Sequence, residues 1–279
     1  MIKNHIKTFV LLSILTALLL AAGQFFGGIA GLVIAGIIVI AMNFVSYFWS
    51  DKIVLKMYKA KPADKNSKLY KLVEEVAQKA GIPTPKVYEI PSQQANAFAT
   101  GRNPKHSAVA ATSNIINILE EDELKGVLAH EISHIKNRDI LIQTIAAAIA
   151  GIISYLAVMA RFSAIFGGMS GEDDNAGGLV GLLALSIITP IMATIVQLAI
   201  SRSREFMADE SGAKIIGSGE PLARALHKIH HSTKRSPIDF GSPSTSSLFI
   251  ANPFKSSTWT SLLSTHPPME KRIARLKKF

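Results

Sequence analysis

Residues 130–134 read His130-Glu131-Ile132-Ser133-His134, which is the pattern H-E-x-x-H. On a helix, two histidines at this spacing lie one above the other on the same face. Two neutral imidazoles in that arrangement can hold one zinc ion, and Glu131 falls beside the first of them, where it can accept a proton from a metal-bound water. The same five residues also fit an amphipathic helix that carries two histidines by chance. The surrounding sequence has to distinguish a zinc site from such a helix.

The sequence before the motif predicts the helix that this geometry requires. Residues 120–123 are all acidic, as is typical of a helix N-terminus, and apolar residues at 127, 129 and 132 give the helix a surface to bury. Further upstream, helical spacing of leucines and valines predicts a helix around residues 69–76. Alternation at 86–90, with further strands at 96–101 and 107–112, predicts a small antiparallel sheet.

Composition indicates a membrane protein with basic aqueous parts. The chain has 279 residues, 48% of them hydrophobic, and a formal net charge of +10, combined with a positive mean hydropathy. Nucleic-acid binding is disfavoured because no recognition helix, zinc-finger spacing or aromatic RNA-binding motif is visible. The absence of cysteine leaves only His, Asp and Glu as metal ligands.

Four apolar runs predict four transmembrane helices. Residues 8–26 and 29–49 carry no charge and are long enough to cross a bilayer, and a second span following so closely argues against a cleaved signal peptide. Residues 140–160 and 179–200 are weaker candidates, because sequence rich in Ala and Gly also makes buried helices in soluble proteins. Pro190 lies inside the last run, where a membrane helix tolerates it as a kink.

Charge predicts the orientation of these spans. Of the 30 Lys and Arg residues, only Arg161 lies near the acidic loop between the third and fourth runs. The positive-inside rule therefore predicts both chain ends, and the metal site, on the cytoplasmic side. The chain then divides into a transmembrane hairpin (1–50), a cytoplasmic half with the H-E-x-x-H helix (51–139), a second transmembrane pair (140–200) and a second cytoplasmic half (201–279).

A catalytic zinc usually has a third protein ligand. Glu205 and Asp209 stand four residues apart, so on a helix they share a face. One carboxylate can bind the metal while the other accepts a hydrogen bond from a ligand histidine and fixes its tautomer. Ordinary surface ion pairs with Arg202 explain the same spacing, and spacing alone leaves both interpretations open.

Four ordered motifs resemble the HtpX family of integral-membrane zinc metallopeptidases, which is related to the prenyl-protein processing peptidases. The motifs are Asn96-Ala97-Phe98-Ala99-Thr100-Gly101, the H-E-x-x-H sequence with Lys136-Asn137-Arg138-Asp139, Arg204-Glu205-Phe206-Met207-Ala208-Asp209, and Thr265-His266-Pro267-Pro268 with Arg272-Ile273. The resemblance covers most of the chain and implies a zincin-like α+β peptidase domain beside four transmembrane helices.

The resemblance also implies a role for each site residue. It makes Glu205 the third zinc ligand beside His130 and His134, and Asp209 a residue that orients His130. It makes Glu131 the catalytic base and His266 a donor to the developing oxyanion, assisted or positioned by Arg272. The substrate-binding residues that it implies are Asn96, Ala97, Phe98 and Arg272.

The function expected from these observations is a membrane-embedded endopeptidase with one Zn²⁺ per chain, acting at the cytoplasmic face of the bacterial inner membrane. Its substrates would be damaged or misfolded membrane proteins, as in stress response and quality control. A prenyl-protein processing peptidase and a non-catalytic zinc-binding scaffold are the alternatives. A transporter is disfavoured because ionisable groups are absent from the apolar runs except Arg161 at an edge.

Overall fold

The structure of the protein is a computed structural model that describes residues 2–141, 145, 202–233, 250 and 267–279. The described residues do not include Arg161, Pro190, His266 or most of 140–200. The predictions made for those positions therefore concern a part of the chain outside the described residues.

The chain begins with a long helix, α1 (Ile2–Met57), which bends at Gly28. Gly28 has φ 56°, in the left-handed region that glycine adopts without the strain of a side chain. The bend falls at the predicted boundary between the first two apolar runs. Beyond it, large aliphatic side chains such as Ile29 and Ile40 are exposed, at 78% and 72%. Across the residues described, no helix combines the length and the apolarity that crossing a membrane requires.

Four strands form one sheet in the order β1-β2-β4-β3. They are β1 (Lys61–Pro62), β2 (Lys86–Ile90), β3 (Ala97–Asn103) and β4 (His106–Thr112). The predicted antiparallel sheet is wrong in one respect, because β2 and β4 are parallel, while β1–β2 and β3–β4 are antiparallel. The short turn after Asn103 makes β3 and β4 a hairpin, and it is the second strand of that hairpin that pairs with β2. As a consequence β3 lies at the edge of the sheet.

Helices cover the sheet and enclose the core. After β1 comes α2 (Lys68–Ala80), whose buried face is the predicted one and which ends at Gly81 in the left-handed conformation. The remaining helices are α3 (Ser113–Ile118), α4 (Glu121–Lys136), α5 (Arg202–Ile216), α6 (Glu220–Thr233) and α7 (Met269–Leu276). The H-E-x-x-H helix is α4, as predicted. It contacts β3, β4, α2, α5 and α6, so it is the centre around which the domain packs.

Helices α4 and α6 approach so closely that only glycine fits between them. A Cβ atom at Gly126 would stand 2.7 Å from the backbone nitrogen of Leu222 and 3.0 Å from its Cα. Because neither neighbouring atom belongs to a flexible side chain, the two helices would have to separate.

We expect Gly126→Ala to lower the stability of the domain by up to about 2 kcal/mol, because overpacking costs about 1–3 kcal/mol and alanine favours a helix by only roughly 1 kcal/mol. Thermal unfolding of the purified chain measures the change, with Glu121→Ala at an exposed position of α4 as the control. A melting temperature that stays the same or rises would show that α4 and α6 separate without cost.

Candidate metal centre

Three predicted ligands converge inside the domain. His130 and His134 lie on successive turns of α4 with their Nε2 atoms 3.2 Å apart. The Oε2 and Oε1 atoms of Glu205, on α5, stand 3.6 Å from the Nε2 atoms of His130 and His134, respectively. Donor atoms on a tetrahedral zinc with bonds of about 2.0–2.1 Å lie roughly 3.3 Å apart, and two imidazoles with one carboxylate are a donor set that zinc accepts. The residues therefore fit a zinc ion in both chemistry and spacing, and all three are buried.

Close contact between α4 and α5 brings Glu205 to the histidines. Gly212, on α5, faces the backbone of α4, and a Cβ atom there would stand only 3.0 Å from the backbone nitrogen of His130. The glycine lets the helices lie against each other, and the carboxylates at 205 and 209 then point from one face of α5 toward α4. Asp209 Oδ1 is 2.9 Å from His130 Nδ1, so an N–H at that nitrogen would donate to the carboxylate.

The Asp209 carboxylate is in turn held by a buried arginine. Arg272, on α7, is 0% exposed and donates from Nε to Asp209 Oδ2 at 2.9 Å and from a terminal nitrogen to Oδ1 at 2.7 Å. Burial alone would raise the pKa of Asp209, but the charge of Arg272 and the hydrogen bonds from His130 and Arg272 hold it well below its usual range. Asp209 is therefore ionised at neutral pH and available to orient His130.

A second carboxylate performs the same task for the other histidine. Asp139 Oδ2 lies 3.1 Å from His134 Nδ1. The chain can return to His134 because Arg138, just beyond α4, has φ 58° and reverses its direction. Asp139 belongs to the motif that contains the two histidines, but the resemblance implies no role for it. A carboxylate one turn beyond a metal-ligating histidine was the signal that could have identified it.

Arg204 is a further residue of the centre for which the resemblance implies no role. It is only 6% exposed and is next to Glu205, a predicted ligand. In the part of the chain that the structure describes, its guanidinium nitrogens and Asp139 Oδ1 have no hydrogen-bond partner. Burial lowers the pKa of Arg204, whereas the charges of Asp139 and Glu205 raise it. Arg204 therefore supplies positive charge near two carboxylates of the centre.

The same carboxylates favour protons on the metal-free histidines. Burial opposes a charged ring, but the charge and hydrogen bond of Asp139, with the charge of Glu205, raise the pKa of His134 to about 10. The pKa of His130 is also raised, by Asp209 and Glu205 against the effect of burial. A metal must bind neutral imidazoles, so metal binding here displaces protons from the pair.

Glu131 points from α4 to the edge of the sheet. Its Oε2 accepts a hydrogen bond of 2.9 Å from the backbone N–H of Ala99, on β3. Burial raises the pKa of Glu131, while the neighbouring histidines lower it. A carboxylate whose pKa lies closer to neutrality is a better general base. The Ala99 N–H donates to Glu131 and not to β4, so the outer edge of β3 faces α4, the helix that carries Glu131.

Three of the four predicted substrate-binding residues, Asn96, Ala97 and Phe98, lie close to this edge, and their side chains are buried. Asn96 Oδ1 accepts a hydrogen bond of 3.0 Å from the backbone N–H of Ile250, whose carbonyl accepts one from Arg272. Ala97 and Phe98 are 1% and 2% exposed. The structure thus places Arg272 beneath the ligands and not at the strand edge. Substrate contact by these four residues, and the role of His266, stay predictions.

The fold is that of a zincin-like peptidase. Two histidines on one buried helix meet a glutamate from a second helix in a group that could hold a metal ion, and a small mixed sheet has its edge at this site. The chain belongs to Peptidase family M48, whose sequence model matches residues 63–279. The resemblance to HtpX read from the motifs is confirmed.

Curated relatives match along nearly the whole chain. A protease HtpX homolog of Desulfatibacillum aliphaticivorans is 50% identical over 276 residues, covering 98% of this chain and 89% of the relative. One of Aquifex aeolicus is 54% identical over 265 residues, covering 93% and 87%. Among solved structures, that of S. mikatae Ste24p is similar with a TM-score of 0.51 and 20% identity, covering 99% of this chain and 66% of Ste24p. That similarity supports the fold alone.

Proposed function

We propose that the chain is a zinc-dependent endopeptidase that cleaves damaged or misfolded membrane proteins at the cytoplasmic face of the bacterial inner membrane. The observation that carries the proposal is the buried group of His130, His134 and Glu205. The carboxylate of Glu131, on the same helix as the histidines, is held beside this group by the backbone N–H of Ala99 on the edge strand. A protease implies protein substrates, and the edge of β3 is suited to an extended peptide that adds to the sheet as a further strand.

Each residue of the centre would have a separate role in peptide hydrolysis. His130, His134 and Glu205 would hold the zinc, which supplies Lewis acidity and lowers the pKa of water at the site. Asp209 and Asp139 keep each ring in the tautomer whose Nε2 lone pair faces the centre.

Glu131 would act as the general base and acid. It takes the proton of the attacking water and delivers it to the leaving amine. The Ala99 N–H fixes Oε2 of Glu131, which leaves Oε1 for this exchange. His266 would donate a hydrogen bond to the oxyanion that develops on the scissile carbonyl.

The membrane part of the proposal is supported by the surface of α1. Ile29, Val33, Ile37 and Ile40 are between 58% and 78% exposed, an amount of apolar surface that is costly in water. The net charge of +10 and its distribution favour the cytoplasm for the catalytic residues.

Zinc content measured beside proteolysis tests the proposed function. We expect the purified wild type to carry close to one zinc per chain, to cleave casein, and to lose cleavage reversibly when a chelator removes the metal. Glu205→Ala is expected to lose both zinc and cleavage, because the two histidines alone do not complete the site. The matched control is Glu210→Ala, a partly exposed glutamate of the same helix that pairs with Lys214.

The outcomes separate the alternatives. Normal zinc in Glu205→Ala would show that Glu205 is not a ligand. Zinc in a wild type that cleaves neither casein nor misfolded membrane proteins would favour the non-catalytic scaffold, and cleavage restricted to prenylated peptides would favour prenyl-protein processing.

A further inference from the structure

A basic cavity of about 390 Å³ lies where α1 meets the β3–β4 hairpin, outside the metal centre. Four cationic side chains line it: Lys52, Lys86, Arg102 and Lys105. Asp51 is the one acidic residue among those that line it. Among the described residues, none of the four cations takes part in an ion pair, so the cavity carries positive charge that the protein itself leaves unbalanced.

The other wall of the cavity is aromatic. It consists of Phe44, Phe48 and Trp49 of α1, which are 53%, 42% and 42% exposed. The guanidinium carbon of Arg102 lies 5.3 Å from the centre of the Phe48 ring, a cation–π contact between the basic and the aromatic residues that line the cavity.

The order of side chains along α1 matches a membrane boundary. Exposed aliphatic residues between Ile29 and Ile40 come first, the exposed aromatics at 44–49 follow, and the cationic Lys52 comes next. A chain that leaves a bilayer on its cytoplasmic side shows the same order. Its aliphatic residues lie in the hydrocarbon, its aromatic residues lie at the interface, and its cations lie among the lipid headgroups.

We propose that this cavity binds the phosphate headgroup of an anionic phospholipid, an inference that rests on the membrane placement in the proposed function. The guanidinium of Arg102 and the ammonium groups of Lys52, Lys86 and Lys105 would donate to the phosphate oxygens. The acyl chains would run along the exposed aliphatic face of α1.

An acidic substrate peptide would satisfy the same cations, but it would leave that apolar face uncovered. A phospholipid would pair with the cations through its headgroup and cover the apolar face with its acyl chains, so it is the occupant that fits the cavity better.

The headgroup would hold the substrate-binding edge at the membrane surface. Arg102 stands three residues beyond Ala99 on β3, about 10 Å along the strand, and the Ala99 N–H holds the carboxylate of Glu131. A lipid bound at Arg102 therefore fixes the distance between the bilayer and the catalytic carboxylate.

Quenching of Trp49 fluorescence tests the proposal on the full chain. The sequence has two tryptophans, so Trp259→Phe leaves Trp49 as the single reporter. In phosphatidylcholine vesicles, we expect brominated phosphatidylglycerol to quench Trp49 at a mole fraction at least about fivefold lower than brominated phosphatidylcholine, because each cationic contact is worth about 1 kcal/mol.

Arg102→Gln and Lys52→Gln are each expected to raise the half-quenching mole fraction of phosphatidylglycerol by about fivefold. Arg275→Gln is the matched control, because Arg275 is an exposed arginine whose guanidinium carbon lies 4.4 Å from the centre of the Phe206 ring, away from the cavity. This control is expected to leave the half-quenching mole fraction unchanged.

Four results would overturn the inference. Equal quenching by both lipids would retain the membrane placement and remove the headgroup site, whereas quenching by neither would refute the membrane placement of α1 itself. Reversal of phosphatidylglycerol quenching by millimolar inorganic phosphate would assign the cavity to free phosphate. A response of Trp49 to a poly-glutamate peptide without any preference for phosphatidylglycerol would assign it to acidic substrates.

Discussion

Glu131→Gln is expected to slow peptide cleavage by about a thousandfold or more while leaving the fold and the metal in place. Glutamine has nearly the same shape, and its side-chain carbonyl can still accept the Ala99 N–H that Oε2 of Glu131 accepts in the structure. What the amide cannot do is take a proton from water. The proposed zinc ligands and the carboxylates beside them are unchanged, so binding of zinc should survive the substitution.

The measurement is the rate of casein cleavage beside zinc content and thermal unfolding of the same preparation. Glu121→Gln, an exposed position on the same helix, is the control and is expected to cleave at the wild-type rate. A folded, zinc-loaded Glu131→Gln protein that cleaves as fast as wild type would show that another group is the base.

The sequence predicts the parts of the centre that depend on helical spacing. His130 and His134 are one turn apart, as are Glu205 and Asp209, and the structure places both pairs on faces that meet. The acidic start of α4, the buried face of α2 and the break at Gly81 are predictable for the same reason, because each depends on residues close together in the chain.

The parts that depend on contacts between distant segments could not be predicted. Residues 107–112 read as a strand, but nothing in the sequence indicates that this strand, and not the one before it, lies parallel to β2. The spacing of residues likewise does not indicate that Gly126 and Gly212 set helix distances. The partner of Arg272 was unpredictable because 62 residues separate it from Asp209.

Arg272 is the residue for which the structure and the resemblance imply different roles. The resemblance makes it a substrate-binding residue that assists His266. In the structure its fork-shaped pair with Asp209 is buried, and a further nitrogen donates to the Ile250 carbonyl at 3.0 Å. The geometry therefore favours a structural role for Arg272 behind the predicted ligand His130. In this role Arg272 keeps Asp209 ionised, and Asp209 in turn keeps His130 in the tautomer that can bind metal.

Arg272→Met separates the two roles, because methionine keeps much of the packing volume and removes the charge. If Arg272 supports Asp209, the uncompensated carboxylate should cost about 3–5 kcal/mol, which lowers the melting temperature of the detergent-solubilised chain by roughly 6 °C or more. Zinc affinity should fall by about 10–100-fold, since Asp209 no longer orients His130. Arg275→Met, an exposed arginine on the same helix, is the control and should change neither quantity.

A double variant gives the sharper test. If the charge of Asp209 is what makes the loss of Arg272 costly, Asp209→Asn with Arg272→Met should be less destabilised than the sum of the two single variants, because no unpaired carboxylate remains buried. Additive losses would mean that Arg272 acts through other contacts, such as the Ile250 carbonyl. An unchanged melting temperature with a raised KM for casein would show instead that Arg272 acts on the substrate, as the resemblance implies.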